Sequence, residues 1–568
     1  MRKRRRTIIG IPFIVGLFGA VLMASLLLAD FVVSGSAPIA PNQSILYVDD
    51  DTCPASGSGT QGNPYCSIQD AVDAATPGDE IRVAQGHYTG SQTIPYAPWG
   101  GTAFTYTQVV FINKQLTLRG GYGPGAWDAS EPAARPTVID AEGHGRGISI
   151  VAAGSVPVTI EGFTVTGGDY TSLGNPTDGG ATVCRSEGGE DCGGGVYAYA
   201  SMLVLRNSVI TGNVAGRDAS NQGGGIYLWD VREGTLIENT TVAGNSALAA
   251  YGTGGGLYAF QINGAMTISN TVFADNHAES SGGGLMIYNA DALVTIEAVD
   301  FLRNTASAHE GGGAHVRLTD DGDLLHMDRC RFVDNQAQER GAAVYLHAAY
   351  IFVPRARLSN LLFTGNATTS TLPSGAVLAI DGAFTDMEVD GSHITAADNQ
   401  APTFLFAKPS RYDTHGLTVT LKNTLVTSFT RAFAAEEVGS GQALIRHDHT
   451  LTSAVTTLHH TVGGAPTFVS TNPVSGDPML DTTYHLQPGS AAIDAGSDAG
   501  VSTDIDGHFR PQSVAPDIGA DEYVFAQPPA AFSIVGPTTV AAQSTASFVA
   551  SVRPVTAALP ITYVWQTT

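Results

Sequence analysis

Gly223-Gly-Gly-Ile-Tyr-Leu-Trp229, Gly234-Thr-Leu-Ile-Glu-Asn239 and Thr241-Val-Ala-Gly-Asn245 are three short apolar runs, each broken by Gly, Asn or Asp. Each has strand length, and no stretch here carries a helical stripe. The unit then repeats. Glycine triplets open at Gly193, Gly223, Gly254, Gly282 and Gly311, then degrade to Gly341-Ala-Ala and Gly375-Ala-Val. Asparagine keeps the same period at Asn213, Asn245, Asn276, Asn304, Asn335, Asn366 and Asn399, at intervals of 32, 31, 28, 31, 31 and 33 residues. Two markers in fixed phase define a stacked-repeat architecture.

Three strands per repeat predict one coil of a right-handed parallel β-helix, each strand pairing with its counterpart about 4.8 Å along the axis. A β-propeller blade would need about 40–50 residues and four strands. Glycine supplies positive φ and lets backbones approach closely. Asparagine tolerates the left-handed region and bonds its own backbone. Stacked at one corner, such asparagines are expected to form a side-chain ladder. A second series, Asn207, Asn239, Asn270, Asn360 and Asn423, predicts a second asparagine corner.

The segments Phe273-Ala-Asp-Asn276, Phe301-Leu-Arg-Asn304, Phe332-Val-Asp-Asn335 and Phe363-Thr-Gly-Asn366, alternating with Gly-Gly-aliphatic, resemble the repeats of bacterial polymorphic outer-membrane proteins. More broadly the region resembles the pectate-lyase-like right-handed β-helix superfamily. That resemblance implies a fold and leaves activity open, because the superfamily spans lyases, hydrolases, esterases, adhesins and passive shells.

The reading is therefore an all-β chain of 568 residues in five parts. Residues 1–40 hold Arg2-Lys-Arg-Arg-Arg6 and an apolar run from Ile8 to Ala29, a signal peptide or a retained signal anchor. Residues 41–104 form an N-terminal cap and lead-in module. Ser67 is placed to cap a helix over Ile68–Ala75 that covers the open end of the solenoid. Residues 105–480 are the β-helix, with Gly167–Asp191 as a loop insertion. Residues 481–526 carry Tyr484-His-Leu-Gln-Pro-Gly-Ser-Ala-Ala-Ile-Asp494, Thr503-Asp-Ile-Asp-Gly507 and Asp517-Ile-Gly-Ala-Asp-Glu522. They resemble the C-terminal module of choice-of-anchor-type exported β-helix proteins, which implies surface delivery. Residues 527–568 are a linker and the start of an immunoglobulin-like sandwich. Such a fold needs about 100 residues, so more chain is expected beyond Thr568.

Charge and cysteine narrow the setting. Without residues 1–40, which carry five positive charges and Asp30, the net charge moves from −24 to −28. Such a chain should repel nucleic acid and anionic lipid, so membrane contact is expected only through the N-terminal segment or a C-terminal anchor. It also matches polyuronates poorly unless calcium bridges the charges. Five cysteines suit an oxidising compartment, and Cys53–Cys66 and Cys184–Cys192 are the expected disulfides, with Cys330 left over in a strand. Either reading of residues 1–40 puts the remainder of the chain outside the cytoplasm, and the resemblance implies a bacterial protein, secreted or on the cell surface.

Strand phase picks out the candidate site. Val196, Ile226, Leu257, Leu285, Ala314 and Val344 share an inward phase. The opposite phase gives two ladders: Tyr197, Tyr227, Tyr258, Met286, His315, Tyr345 and, beside it, Tyr199, Trp229, Phe260, Tyr288, Arg317, His347. An outward aromatic strip is suited to sugar rings or a cell-surface partner. Alternatively the rings stack on each other beneath the 167–191 loop. Tyr197, Tyr199, Tyr227, Trp229, Tyr258, Phe260 and Tyr288 are the binding candidates. Any catalysis is expected where the strip turns polar, at His315, Arg317 and His347 with Asp320, Asp321 and Asp381. No spacing there is diagnostic of a lyase or a hydrolase. No cofactor is required; Asp504 and Asp506 are the calcium candidates, set before a glycine but without the later acidic ligand of a calcium loop. His447-Asp-His449 and His459-His460 offer imidazoles for a transition metal, but paired histidines adjacent in a strand usually face opposite sides.

The binding or structural reading leads. A polysaccharide lyase or glycoside hydrolase on the outer sheet, and a passive spacer displaying C-terminal domains, are the alternatives.

Overall fold

The computed structural model describes residues 43–55, 57–97, 104–173, 191–217, 220–349, 352–382, 386–409, 415–437, 439–525, 531–535 and 549–553. The apolar N-terminal run, Cys184 and most of the expected sandwich lie outside the described residues. The only described strands after the C-terminal module are Ala531–Val535 and Val549–Arg553, an antiparallel pair. Among the described residues no helix is long and apolar enough to cross a membrane.

The chain is a right-handed parallel β-helix. Its first wall stacks Ile226–Val231, Leu257–Ile262, Leu285–Ala290, Ala314–Leu318, Val344–Ala348, Ala376–Gly382 and Thr403–Lys408 in parallel register. A second wall stacks Thr235–Glu238, Met266–Ser269 and Val294–Glu297. A third stacks Val209–Thr211, Thr241–Ala243, Val272–Ala274 and Asp300–Leu302. A fourth strip of two-residue strands runs from Ser246–Ala247 to Ala367–Thr368 and is too short for apolar alternation to reveal. The parallel pairing already includes Ile45–Val48 and Glu80–Ala84, and it continues through Gly416–Glu436 and Gln442–Gly463.

The clock asparagines form the expected ladder. Nδ2 of each donates to Oδ1 of the next, from Asn213 to Asn399, at 2.9–3.1 Å. The left-handed backbone is not theirs, however. It belongs to the preceding residue, as at Asp275 (φ 54°), Arg303 (φ 53°) and Asp334 (φ 56°). The second series does take it, from Asn270 (φ 47°) to Asn423 (φ 54°). The triplets have a steric cause too: a Cβ on Gly256 would lie 2.4 Å from the Gly284 carbonyl of the next coil. Inside, Phe273, Phe301, Phe332 and Phe363 stack at centroid spacings of 5.2, 4.7 and 5.2 Å. Each buried ring contributes about 1.5–3 kcal/mol.

Both flanks are dressed. The helix Ile68–Ala74 is capped by the Ser67 hydroxyl, which accepts from Asp70 N–H at 3.1 Å. Gln69 then hydrogen-bonds the backbone N–H and carbonyl of Phe111, closing a strand that would otherwise present bare polar groups. Cys53 and Cys66 form the expected disulfide of the lead-in loop. Cys192 is buried, and its expected partner lies outside the described residues; Cys330 is a free, buried thiol.

The C-terminal module folds back along the later coils at the second asparagine corner. Asn360 donates to Thr503 O at 3.0 Å, and Asn423 bonds both the N–H and the carbonyl of Ser497. Inside the module, Arg510 pairs with Glu522 at 2.7 Å, both buried.

Candidate functional site

The two predicted ladders stand in the predicted register on the outer face of the first wall. One runs Ser149, Tyr197, Tyr227, Tyr258, Met286, His315, Tyr345. The other runs Val151, Tyr199, Trp229, Phe260, Tyr288, Arg317, His347, Asp381, Lys408.

Of the two readings of the strip, mutual stacking under a cover is the one found along the first ladder. From Tyr197 to Tyr345 no member of the first ladder is more than 7% exposed, and Phe260 of the second is also buried. The rings stack on one another: Tyr197–Tyr227 at 5.5 Å and Tyr227–Tyr258 at 5.6 Å, nearly parallel. The hairpin Gln92–Tyr96 and Phe104–Ile112 joins the same cluster, with Tyr106 against Tyr197 at 6.3 Å. The Arg146 guanidinium lies between the rings of Tyr170 (3.5 Å) and Tyr197 (4.4 Å). The first ladder is thus a second hydrophobic core outside the solenoid wall. Tyr199, Trp229 and Tyr288 of the second ladder keep partial exposure. Trp229 is held in place by its indole N–H, which donates to Gln261 at 2.8 Å.

Three coils further on, the same face becomes polar. Arg317 sits over the Tyr288 ring at 4.4 Å. His315 meets Tyr345 edge-on at 4.7 Å, and His347 lies 6.0 Å from the same ring. The Tyr345 hydroxyl donates to Asp381 at 3.3 Å. Arg340 lies between two carboxylates, Asp381 at 3.1 Å and Glu310 at 3.5 Å. Lys408 closes the row on Glu436 at 2.8 Å. Asp320 and Asp321 stay in their turn, accepting the N–H groups of Asp321 and Val353.

Burial, assisted by His347, Arg317 and Arg340, holds His315 well below the ordinary histidine range. Burial with Arg317 and Arg340 brings His347 down to about 4. Burial raises Glu310 despite the opposing charge of Arg340. At neutral pH the site therefore presents two uncharged imidazoles beside an arginine shared by two carboxylates. Neither ring nitrogen of His315 has a partner among the described residues. Glu310 and Arg340 were not singled out from sequence. Their signal is positional: each immediately precedes a repeat glycine, Gly311 or Gly341, in successive coils.

The calcium candidates Asp504 and Asp506 stand with His508 in a cluster whose ligand atoms lie within 4.8 Å of one another, and both carboxylates also take protein partners. Asp504 is fully buried and accepts the N–H groups of Asp506 (2.9 Å), His508 (2.7 Å) and Glu522 (3.1 Å). Asp506 pairs with Arg331 and with His485. Among the imidazoles, the coil brings His447 and His459 together at 2.7 Å, whereas His449 bonds Ser497.

Fold and face together define a right-handed β-helix with a decorated outer wall. Residues 194–394 match the family model described as a right handed beta helix region. Among solved structures, the chain is similar to pectate lyase Pel9A, with 14% identity and a TM-score of 0.35 over 84% of this chain and 96% of that one. It is also similar to the Siphovirus 9NA tailspike receptor binding domain, with 11% identity and a TM-score of 0.21 over 75% of this chain and 77% of that one. No curated protein matches the sequence.

Proposed function

We propose that the protein works outside the cytoplasm, at or near a bacterial surface, as a β-helix that binds a glycan or a surface partner along its second ladder. One observation carries this reading. Tyr199, Trp229 and Tyr288 keep partial exposure in one in-register row that continues into Arg317, His347 and Asp381. Partly open rings in line offer faces for sugar C–H groups, and the polar end offers donors and acceptors for hydroxyls. A glycan array probed with the full chain tests it. Trp229→Ala and Tyr288→Ala should each abolish the signal, and undiminished binding by both would sink the proposal.

A second reading, glycan cleavage, rests on His315, whose ring nitrogens have no hydrogen-bond partner among the described residues, and on the Glu310–Arg340–Asp381 bridge. Burial raises Glu310 while Arg340 and Tyr345 hold Asp381, and two carboxyls in unlike environments suit acid and base roles. Release of reducing or unsaturated ends from plant and bacterial polysaccharides, with and without calcium, tests this. Silence across neutral and uronic substrates would leave binding alone.

A further inference from the structure

The two ends of the solenoid are finished differently. At the N-terminal end a helix covers the core, and Gln69 occupies strand polar groups. At the other end, the strand Gln442–Gly463 pairs along its length with Gly416–Glu436. On its free side only 444–448 and 451–452 have partners, in Thr467–Thr471 and Val474–Ser475. Beyond the bend at Ala454 (φ 51°), no described strand pairs with the free side of Val455–Gly463. Val455, Leu458 and Phe468 are core residues left partly open there, and Val462 is 40% exposed.

This edge also lacks the usual guards. Exposed edges are normally blunted by charge, especially lysine. Yet no Asp, Glu, Lys or Arg occurs from Thr450 to Gly476, in a chain that is 14% charged. With a net charge of −24, two copies repel over most of their surface. An uncharged strand edge is where they can meet without that cost.

We infer that Val455–Gly463 is a self-association edge, on which a second copy of this chain adds its own Val455–Gly463 antiparallel. The occupant follows from the observations: the surface is a strand edge, so it takes a strand, and that strand is uncharged, so a second copy of it brings no like-charge repulsion into the joint. A two-fold axis that keeps inner faces inward must pair positions of like parity. Centred on this segment, it sets His459 opposite His459 of the second copy and Thr457 opposite Thr461. Mixed sheets accept such an antiparallel addition. This inference is independent of the binding ladder.

The test is sedimentation equilibrium of the full chain in mild detergent, beside Val462→Lys. Val462 is exposed, so the lysine leaves the core intact; unchanged circular dichroism and melting confirm folding. The wild type should sediment at twice the chain mass, and Val462→Lys should weaken association at least about tenfold by placing two like charges in the joint. Thr457→Cys combined with Thr461→Cys should cross-link two copies on oxidation, while Thr456→Cys with Thr461→Cys should not. A wild-type monomer at all concentrations, or a Val462→Lys dimer as tight as wild type, would overturn the inference.

Discussion

Oδ1 of Asn335 accepts two hydrogen bonds from one residue of the neighbouring coil, the backbone N–H and the side-chain Nδ2 of Asn304, both at 3.0 Å. Its own Nδ2 donates to Phe301 O and to Asn366. All of these groups are buried, so removing the amide strands several at once. Each buried group left unsatisfied costs about 1–3 kcal/mol. Asn335→Ala should therefore lower the urea midpoint markedly, and Asn335→Asp should lower it further at pH 7, because a carboxylate would face the Asn366 oxygen. A midpoint within error of wild type for both would remove the ladder from the account of stability.

The histidines make stability depend on acid. Burial is the main cause holding His315 well below its ordinary range, His347 at about 4, His393 at about 3 and His447 at about 4. All four are depressed from 6.5, so between these values the unfolded chain binds more protons than the folded one. Their contribution is complete above about pH 6.5 and is lost as the pH falls toward 4. Melting temperature should drop over that window, and His347→Gln should flatten part of the slope. A profile level from pH 7 to 4.5 would contradict this.

The two ladders should respond differently to truncation. Tyr227 is fully buried in its stack, and Tyr227→Ala should cost about 3–5 kcal/mol in a denaturant melt. Trp229 is partly open, and Trp229→Ala should cost clearly less while removing ligand binding. Equal stability losses would mean that the second ladder is core as well.

The second asparagine corner separates strain from docking. Asn270 and Asn423 share the left-handed backbone, but Asn270 is exposed and Asn423 holds Ser497. An alanine meets the same backbone strain at either place. Only Asn423→Ala should loosen the C-terminal module, read as roughly tenfold faster limited proteolysis within residues 477–525. Equal rates in the two variants would show that the module is held by other contacts.

Coil period, strand phase and both corners were legible because each repeats locally, so one residue's environment recurs about every thirty positions. That Tyr197, Tyr227 and Tyr258 stack under a cover was one of the two readings that alternation allowed; which segment takes part was not legible. Tyr106, which meets Tyr197, comes from a hairpin outside the repeat, and periodicity cannot say what docks on a face. Arg340 and Glu310 escaped for a related reason: they stand at a turn, where strand alternation gives no direction. The αL assignment slipped by one residue, because Asp275 and Arg303 take the bend so that Asn276 and Asn304 can point inward. At the C-terminal module, the turn folds three backbone N–H groups onto the Asp504 carboxylate, a geometry that the Asp-Ile-Asp-Gly motif does not reveal.

The most direct test of the proposed function is a crystal structure of the full chain soaked with the strongest glycan from the array. Sugar rings should stack on Tyr199, Trp229 or Tyr288, with hydroxyls reaching Arg317, His347 or Asp381. A ligand bound on another wall, with this row bare, would contradict the proposed function.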